Sequence, residues 1–180
     1  MQLNHFFYNC SQEYVTSIDH NLYLEISDTL NSLPKRTTQS EINHDIFSSL
    51  VRKGWSFDAI PPDTDLLDEK KMNNRKLCLT SSTLNAGWHS DFAKSYDSGL
   101  VQLEVQFGKV EAMFKDFCGF RIAYYERRLA LGIEIVMSNP GEYFADRKKA
   151  ISGMAYFDIA KRTLPAIGLD CPIWLIGISE

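Results

Sequence analysis

Glu104-Val105-Gln106 is the segment of this chain best suited to chemistry on a phosphate, with Asp91 lying 13 residues before Glu104. Side chains alternate across an extended chain, so Glu104 and Gln106 share a face about 7 Å apart at roughly 3.3 Å per residue. A hairpin in front of them can bring in a second acid. Phosphodiester hydrolysis needs such a group. A hard divalent cation takes oxygen ligands, meets the scissile phosphate and acidifies an attacking water. Two carboxylates and a backbone carbonyl are enough to hold it.

Three acids compete for the second place. Asp63 lies 41 residues before Glu104, too far for one hairpin. Asp97 is only seven residues away, but it belongs to Asp97-Ser98-Gly99, where a turn-forming acid is expected. Asp91 falls at the end of an expected strand, and the intervening turn can return the chain to Glu104, so Asp91 is preferred. The plain alternative makes Gln102, Glu104 and Gln106 the solvated face of a half-buried strand. His89, two residues from Asp91 on the same strand face, reads as a structural histidine before a ligand.

The positioning elements follow from periodicity. Val15, Ile18, Leu22, Ile26, Leu30 and Leu33 recur at helical spacing and predict one helix ended by Pro34. A second helix, capped by Ser40, carries Ile42, Ile46, Phe47, Leu50 and Val51 and stops at Gly54. Residues 56–75 contain Pro61-Pro62 and many acids and read as a loop. Short strands are expected over 76–80 and 86–92, then a turn over 94–99. The clearest strand is 100–107, where Val101, Leu103, Val105 and Phe107 alternate with polar residues. A helix over 110–129, a strand over 132–137, a polar segment over 138–149, a helix over 151–164 and a strand over 172–178 complete the chain. Strand–helix–strand units favour parallel neighbours covered by helices, and the leading hairpin makes the sheet mixed, so the fold class is α/β.

Composition sets limits. The 180 residues, 44% hydrophobic and 23% charged, fit one globular domain with its own core. The N-terminal helices occupy 1–55 and the catalytic core 86–180. A formal net charge of −4 argues against a protein that coats nucleic acid everywhere, but leaves room for locally placed cations. Cys10, Cys78, Cys118 and Cys171 are widely spaced and form no Cys-x-x-Cys. The chain opens with no leader-like segment, and no window approaches a membrane span. A reducing cytoplasm is the expected compartment.

Leu103-Glu104-Val105-Gln106-Phe107-Gly108-Lys109 resembles the active-site strand of the BglII/BstYI restriction endonucleases, a branch of the PD-(D/E)XK nucleases in which Gln replaces the final Lys. The resemblance continues through Gly132-Ile133-Glu134-Ile135-Val136, Ser152-Gly153-Met154-Ala155-Tyr156 and Cys171–Ile178, and includes the helix 45–55 followed by Ile60-Pro61. It implies a restriction-endonuclease-like core and Mg²⁺-dependent, sequence-specific cleavage of double-stranded DNA. Asp91 and Glu104 would then ligate Mg²⁺ with the backbone carbonyl of Val105. Gln106, whose neutral amide is no base, would position water or phosphate. The turn after Asp91 is longer than in that family, which keeps Asp97 in competition.

The same resemblance turns two segments towards DNA: Lys109 after the active-site strand, and Asn139, Arg147, Lys148, Lys149 and Ser152 after the next one. Arg and Asn pair bidentately with guanine and adenine edges, whereas a basic triplet can also hold only phosphates. Arg127-Arg128 and Lys161-Arg162 read as solvated helix faces. Phe117, Phe120, Tyr124 and Tyr125 read as core or dimer contacts on one helix. A palindromic duplex presents two related scissile bonds, so a two-fold homodimer is expected. The rival readings are a low-specificity repair or mobile-element nuclease, and a non-catalytic DNA- or partner-binding protein on a nuclease fold.

Overall fold

The computed structural model describes residues 1–62, 64, 73–84, 87–143 and 153–179. Its centre is a six-stranded mixed sheet built from β1 (Gln2–Tyr8), β2 (Ser56–Phe57), β3 (Phe92–Tyr96), β4 (Gly99–Val105), β5 (Leu129–Met137) and β6 (Ile173–Ser179). The spatial order is β1-β6-β5-β4-β3-β2. β4, β5 and β6 are parallel neighbours, and β1, β3 and β2 pair antiparallel outside them.

One face of the sheet is covered by α1 (Gln12–Ile18), α2 (Leu22–Asn31) and α3 (Gln39–Arg52). Their buried residues Ile26, Ile46, Phe47 and Leu50 share a core with Val101, Leu103, Ile133 and Trp174. The other face is covered by α4 (Val110–Tyr125) and α6 (Phe157–Ala166); a single helical turn, α5 (Pro140–Tyr143), follows β5. Met113, Phe117 and Phe120 of α4 and Ala160 and Leu164 of α6 pack there on Val136, Ile173 and Leu175. β5 and β6 are therefore buried on both faces, which is why 129–137 reads as an almost unbroken apolar run.

Several elements differ from the sequence reading, each for a local reason. β1 was not anticipated, since Gln2–Tyr8 mixes polar and aromatic residues; it is an edge strand whose His5 and Phe7 stack on Trp174. The single N-terminal helix is two. Asp19 adopts extended backbone and its Oδ1 accepts the Asn21 N–H at 2.8 Å, a local bond that competes with helix continuation while the apolar spacing runs on undisturbed. Thr38, not Ser40, caps α3, forming a reciprocal capping box with Glu41. Residues 75–78 form a 3-10 turn instead of a strand.

β3 occupies much of the expected 94–99 turn, so the reversal shrinks to Asp97-Ser98 before Gly99, which has φ +128°. α4 ends at Tyr125 because Arg127 turns left-handed (φ 58°). The Arg127 and Arg128 N–H groups then close on the Tyr124 and Ala123 carbonyls, a stop that carries no glycine to announce it. α6 begins at Phe157, later than the expected 151.

Close packing of α4 on the sheet depends on Gly132. A Cβ there would lie 2.8 Å from Phe120 Cγ and 2.7 Å from Ile173 Cδ1. Gly132→Ala is expected to lower unfolding stability by about 1–3 kcal/mol, the usual cost of overpacking, read as a lower urea midpoint at unchanged slope. An unchanged midpoint would mean that α4 is not seated on this strand as described.

Candidate active site

The register of the β3–β4 hairpin brings Asp91 to Glu104. Phe92 is paired with Leu103, so the residue before β3 meets the residue after Leu103. The two are joined reciprocally. The Asp91 N–H donates to Glu104 Oε2 at 3.1 Å, and the Val105 N–H donates to Asp91 Oδ2 at 2.9 Å. Asp97 sits at the turn end of the same hairpin, five residues along β4 from Glu104, or about 17 Å at 3.4 Å per residue. Asp63 lies outside the described residues.

Glu104 is 7% exposed and Gln102 is fully buried, so this is not a solvated strand face. Gln102 Nε2 donates to the Leu77 and Leu79 carbonyls, which turns the 3-10 segment into a brace beneath the hairpin. Gln106 leaves the sheet just past β4, its N–H donating to Ile135 O. Its Nε2 donates to Asp116 Oδ2 at 2.8 Å, and its Oε1 accepts the Gly108 N–H at 2.9 Å. The Phe107 carbonyl that follows accepts from Gln39 at the start of α3, tying the strand end to the opposite helical layer.

Two more acids join from elements the sequence reading did not use. Asp116 is buried on α4, and Glu134 of β5 is in parallel register with Glu104. Glu134 is fully buried, and neither of its carboxylate oxygens has a hydrogen-bond partner. Both were visible in principle. Glu134 is the lone charge in a nine-residue strand otherwise made of apolar residues and Gly132, and Asp116 falls between Met113 and Phe120 on the buried side of its helix.

Electrostatics follow from this packing. Burial raises the Glu104 carboxyl well above the usual range, and the charges of Asp91 and Asp116 add to that. Burial raises Glu134 likewise, reinforced by Asp116, Glu104 and Asp91. Asp116 is pushed up to about 6, chiefly by desolvation. Solvent reaches Asp91 from one side, yet the protein massed behind its carboxyl raises its pKa too. Lys115, exposed on α4, opposes these shifts at Asp91, Glu104 and Asp116 and is the nearby cation that sequence reasoning missed.

The donor set suits a hard divalent cation, since the clustered carboxylates repel one another and outnumber the exposed Lys115 that opposes them. Among the described residues no three His, Cys, Asp or Glu side chains converge as ligands. That is compatible with two carboxylates plus a main-chain carbonyl, the set drawn from Asp91, Glu104 and Val105. Beside Asp91 a cavity of about 290 Å³ opens, walled by Asn43, Ile60, Pro61, Phe92 and Val105. His89 stands apart, its Nδ1 3.1 Å from Gly87 O and 3.8 Å from Asp58 Oδ1.

Among the expected DNA contacts, Lys109 is exposed at the N-cap of α4. Asn139 is exposed after β5, its Oδ1 accepting the Gly141 N–H at 3.1 Å. Arg147, Lys148, Lys149 and Ser152 lie outside the described residues.

These shifts give stability a pH dependence. A carboxyl with a raised folded pKa binds its proton more tightly folded than unfolded, so it takes stability away as pH rises between the two values. For Asp116 that window runs from 3.8 to about 6, and for Glu104 and Glu134 it opens at 4.5. The metal-free protein is therefore expected to unfold at lower urea concentration at pH 7.5 than at pH 5. Glu134→Met removes the two orphaned oxygens. It should raise stability by about 1–3 kcal/mol at pH 7.5, the desolvation penalty of unsatisfied buried polar groups, and flatten the pH slope. A loss of stability would show that Glu134 has a partner in solution.

The family model described as restriction endonuclease BglII/BglIII matches residues 4–178 of this chain. A crystal structure of restriction endonuclease BglII complexed with a DNA 16-mer superposes with a TM-score of 0.68. That match is 18% identical and covers 100% of this chain and 77% of the other, a likeness of fold. No curated protein matches the sequence. Divalent-metal use is general in the matched family. With that match running through nearly the whole sequence, the chain belongs to the BglII/BglIII restriction endonuclease family, type II enzymes that cleave DNA at specific sites.

Proposed function

We propose that the chain acts as a homodimer and uses Mg²⁺ to hydrolyse both strands of a palindromic duplex, with Asp91, Glu104 and Gln106 as its catalytic residues. The observation that carries this reading is the reciprocal joining of Asp91 to Glu104-Val105, which holds two carboxyls together against their repulsion. Asp91, Glu104 and the Val105 carbonyl hold the cation, which supplies a Lewis acid at the phosphate and an acidified water. Gln106 offers its amide to orient water or phosphate and takes no proton. Lys109, Asn139, Arg147, Lys148, Lys149 and Ser152 form the DNA-binding set, its cations suited to phosphates and its Arg and Asn side chains suited also to base edges. Residues 1–180 work as one endonuclease domain. The four free thiols suit a reducing cytoplasm.

A symmetric duplex site asks for two symmetric active sites. α4 offers a surface for that pairing. Phe114, Cys118, Ile122 and Tyr125 line one outward stripe at helical spacing, with Phe114 40% and Tyr125 87% exposed, and Leu84 lies at 56% exposure in the cavity rim beside Ile122 and Tyr125.

Unmethylated plasmid incubated with the protein and Mg²⁺ should give discrete fragments that disappear with EDTA, and Glu104→Ala should cut at least about 100-fold more slowly. A smear would indicate a low-specificity nuclease. No cutting with Mg²⁺ or Mn²⁺ on several DNAs would indicate a binding protein that kept the fold. Sedimentation should show a dimer that Tyr125→Glu weakens; a monomer at every concentration would remove the two-fold arrangement.

A further inference from the structure

An amide side chain has two ends of similar shape and opposite hydrogen-bonding character, so its usefulness in a site depends on which end faces the substrate. For Gln106 both ends meet partners whose roles leave no ambiguity. A backbone N–H only donates, so the end facing Gly108 is the oxygen; the carboxylate of Asp116 accepts, so the end facing α4 is the nitrogen. Gly108 contributes a second constraint. A Cβ on it would lie 2.8 Å from Gln106 Oε1, so only a bare Cα leaves room for the amide where it is. Asp116 is held in turn by the helix on which it is buried beside Met113 and Phe117.

We propose that Asp116 and Gly108 form a clamp that fixes the orientation of the Gln106 amide, making Asp116 a positioning residue for DNA cleavage. The clamp uses one amino hydrogen and one lone pair of the amide. One hydrogen and one lone pair remain to offer water or a phosphate oxygen, in a fixed sense that a free glutamine would not keep. This rests on the role proposed above for Gln106, but the clamp itself can be observed without any cleavage.

The test compares Asp116→Asn, Asp116→Leu and Gly108→Ala in the full chain. Asn keeps an acceptor oxygen for Gln106 and loses the charge, Leu removes the acceptor, and the alanine methyl displaces the amide oxygen. In protein labelled with ¹⁵N-glutamine, the Gln106 side-chain amide should relax as a rigid group in the wild type and in Asp116→Asn. It should become mobile in Asp116→Leu and Gly108→Ala. On duplex DNA with Mg²⁺, Asp116→Leu should lower kcat about 10–100-fold with little change in KM, the scale of losing an outer-shell partner, while Asp116→Asn keeps most of kcat. In a Gln106→Ala background, Asp116→Leu should cost no further factor.

A rigid Gln106 amide in both Asp116→Leu and Gly108→Ala would overturn the clamp. So would an Asp116→Asn variant that loses as much kcat as Asp116→Leu, because Asp116 would then act by charge. If the wild type cuts no DNA, the endonuclease role fails while the relaxation data still decide the clamp. Should Asp116→Leu not fold, Asp116→Asn and Gly108→Ala carry both measurements.

Discussion

Asp91 and the end of β4 hold each other by two hydrogen bonds running in opposite directions, and the rest of the site is built on that link. One bond uses the backbone of Asp91 and the side chain of Glu104; the other uses the side chain of Asp91 and the backbone of Val105. The Glu104 carboxyl is thus anchored to the main chain of Asp91, and the Asp91 carboxyl to that of Val105, so neither can swing away from its neighbour's charge. The strands supply stiffness, because β4 lies inside the sheet between β3 and β5. Below the link, Gln102 is bonded to the Leu77 carbonyl of the 3-10 segment and to that of Leu79 just after it, so the hairpin cannot slide without breaking buried bonds.

The consequence is an asymmetric molecule. The face of the sheet under α1–α3 is an ordinary hydrophobic core, centred on Trp174 and the α3 residues packed over the sheet. The face under α4 is apolar only in part. Between Phe120 and the end of β4 it contains Gln102, Glu104, Asp116 and Glu134, all buried. Apolar side chains there would stabilise the fold more. The acidic set disfavours the metal-free fold, and a cation that neutralises it would bind in proportion to that strain and stabilise the folded state by mass action. The apolar face offsets this by burying large side chains such as Phe47, Leu103 and Trp174.

How far the sequence could be read follows from the same division. Helices α3 and α4 were legible because their buried residues recur at helical spacing, and β5 and β6 because they read as short apolar runs. The Glu104–Gln106 strand was legible because it alternates. What escaped notice depended on contacts distant in sequence or on polar competition with backbone. β1 exists because its partner β6 lies at the other end of the chain, and the break after Ile18 follows from one Asp19 side-chain bond. Asp91 is preferred over Asp97 in the sequence from an expected strand end and turn, whereas the register that brings Asp91 to Glu104 is displaced from that turn by several residues. Asp116 lay unread on its helix, since hydrophobic periodicity marks a buried position without saying why an acid should occupy it.

The site also stands where the fold would put a crevice. β4 and β5 are parallel, and Glu104 and Glu134 occupy matched positions towards their carboxyl ends, the side where open α/β sheets bind ligands. From there the chain leaves β4 through Gln106–Lys109, a turn stitched to the segment that returns before α6. Gly108 O accepts the Ala155 N–H at 2.8 Å, and Gly153 O accepts the Val110 N–H at 2.9 Å. The turn that fixes the Gln106 amide is therefore also a floor for the end of the segment that follows β5. A displacement of residues 153–155 would be felt at Gly108, and through Gly108 at the oxygen of Gln106. The fold thus gives a physical route by which whatever engages that segment can bear on the Gln106 amide, through two backbone hydrogen bonds and a glycine that has no side chain to yield.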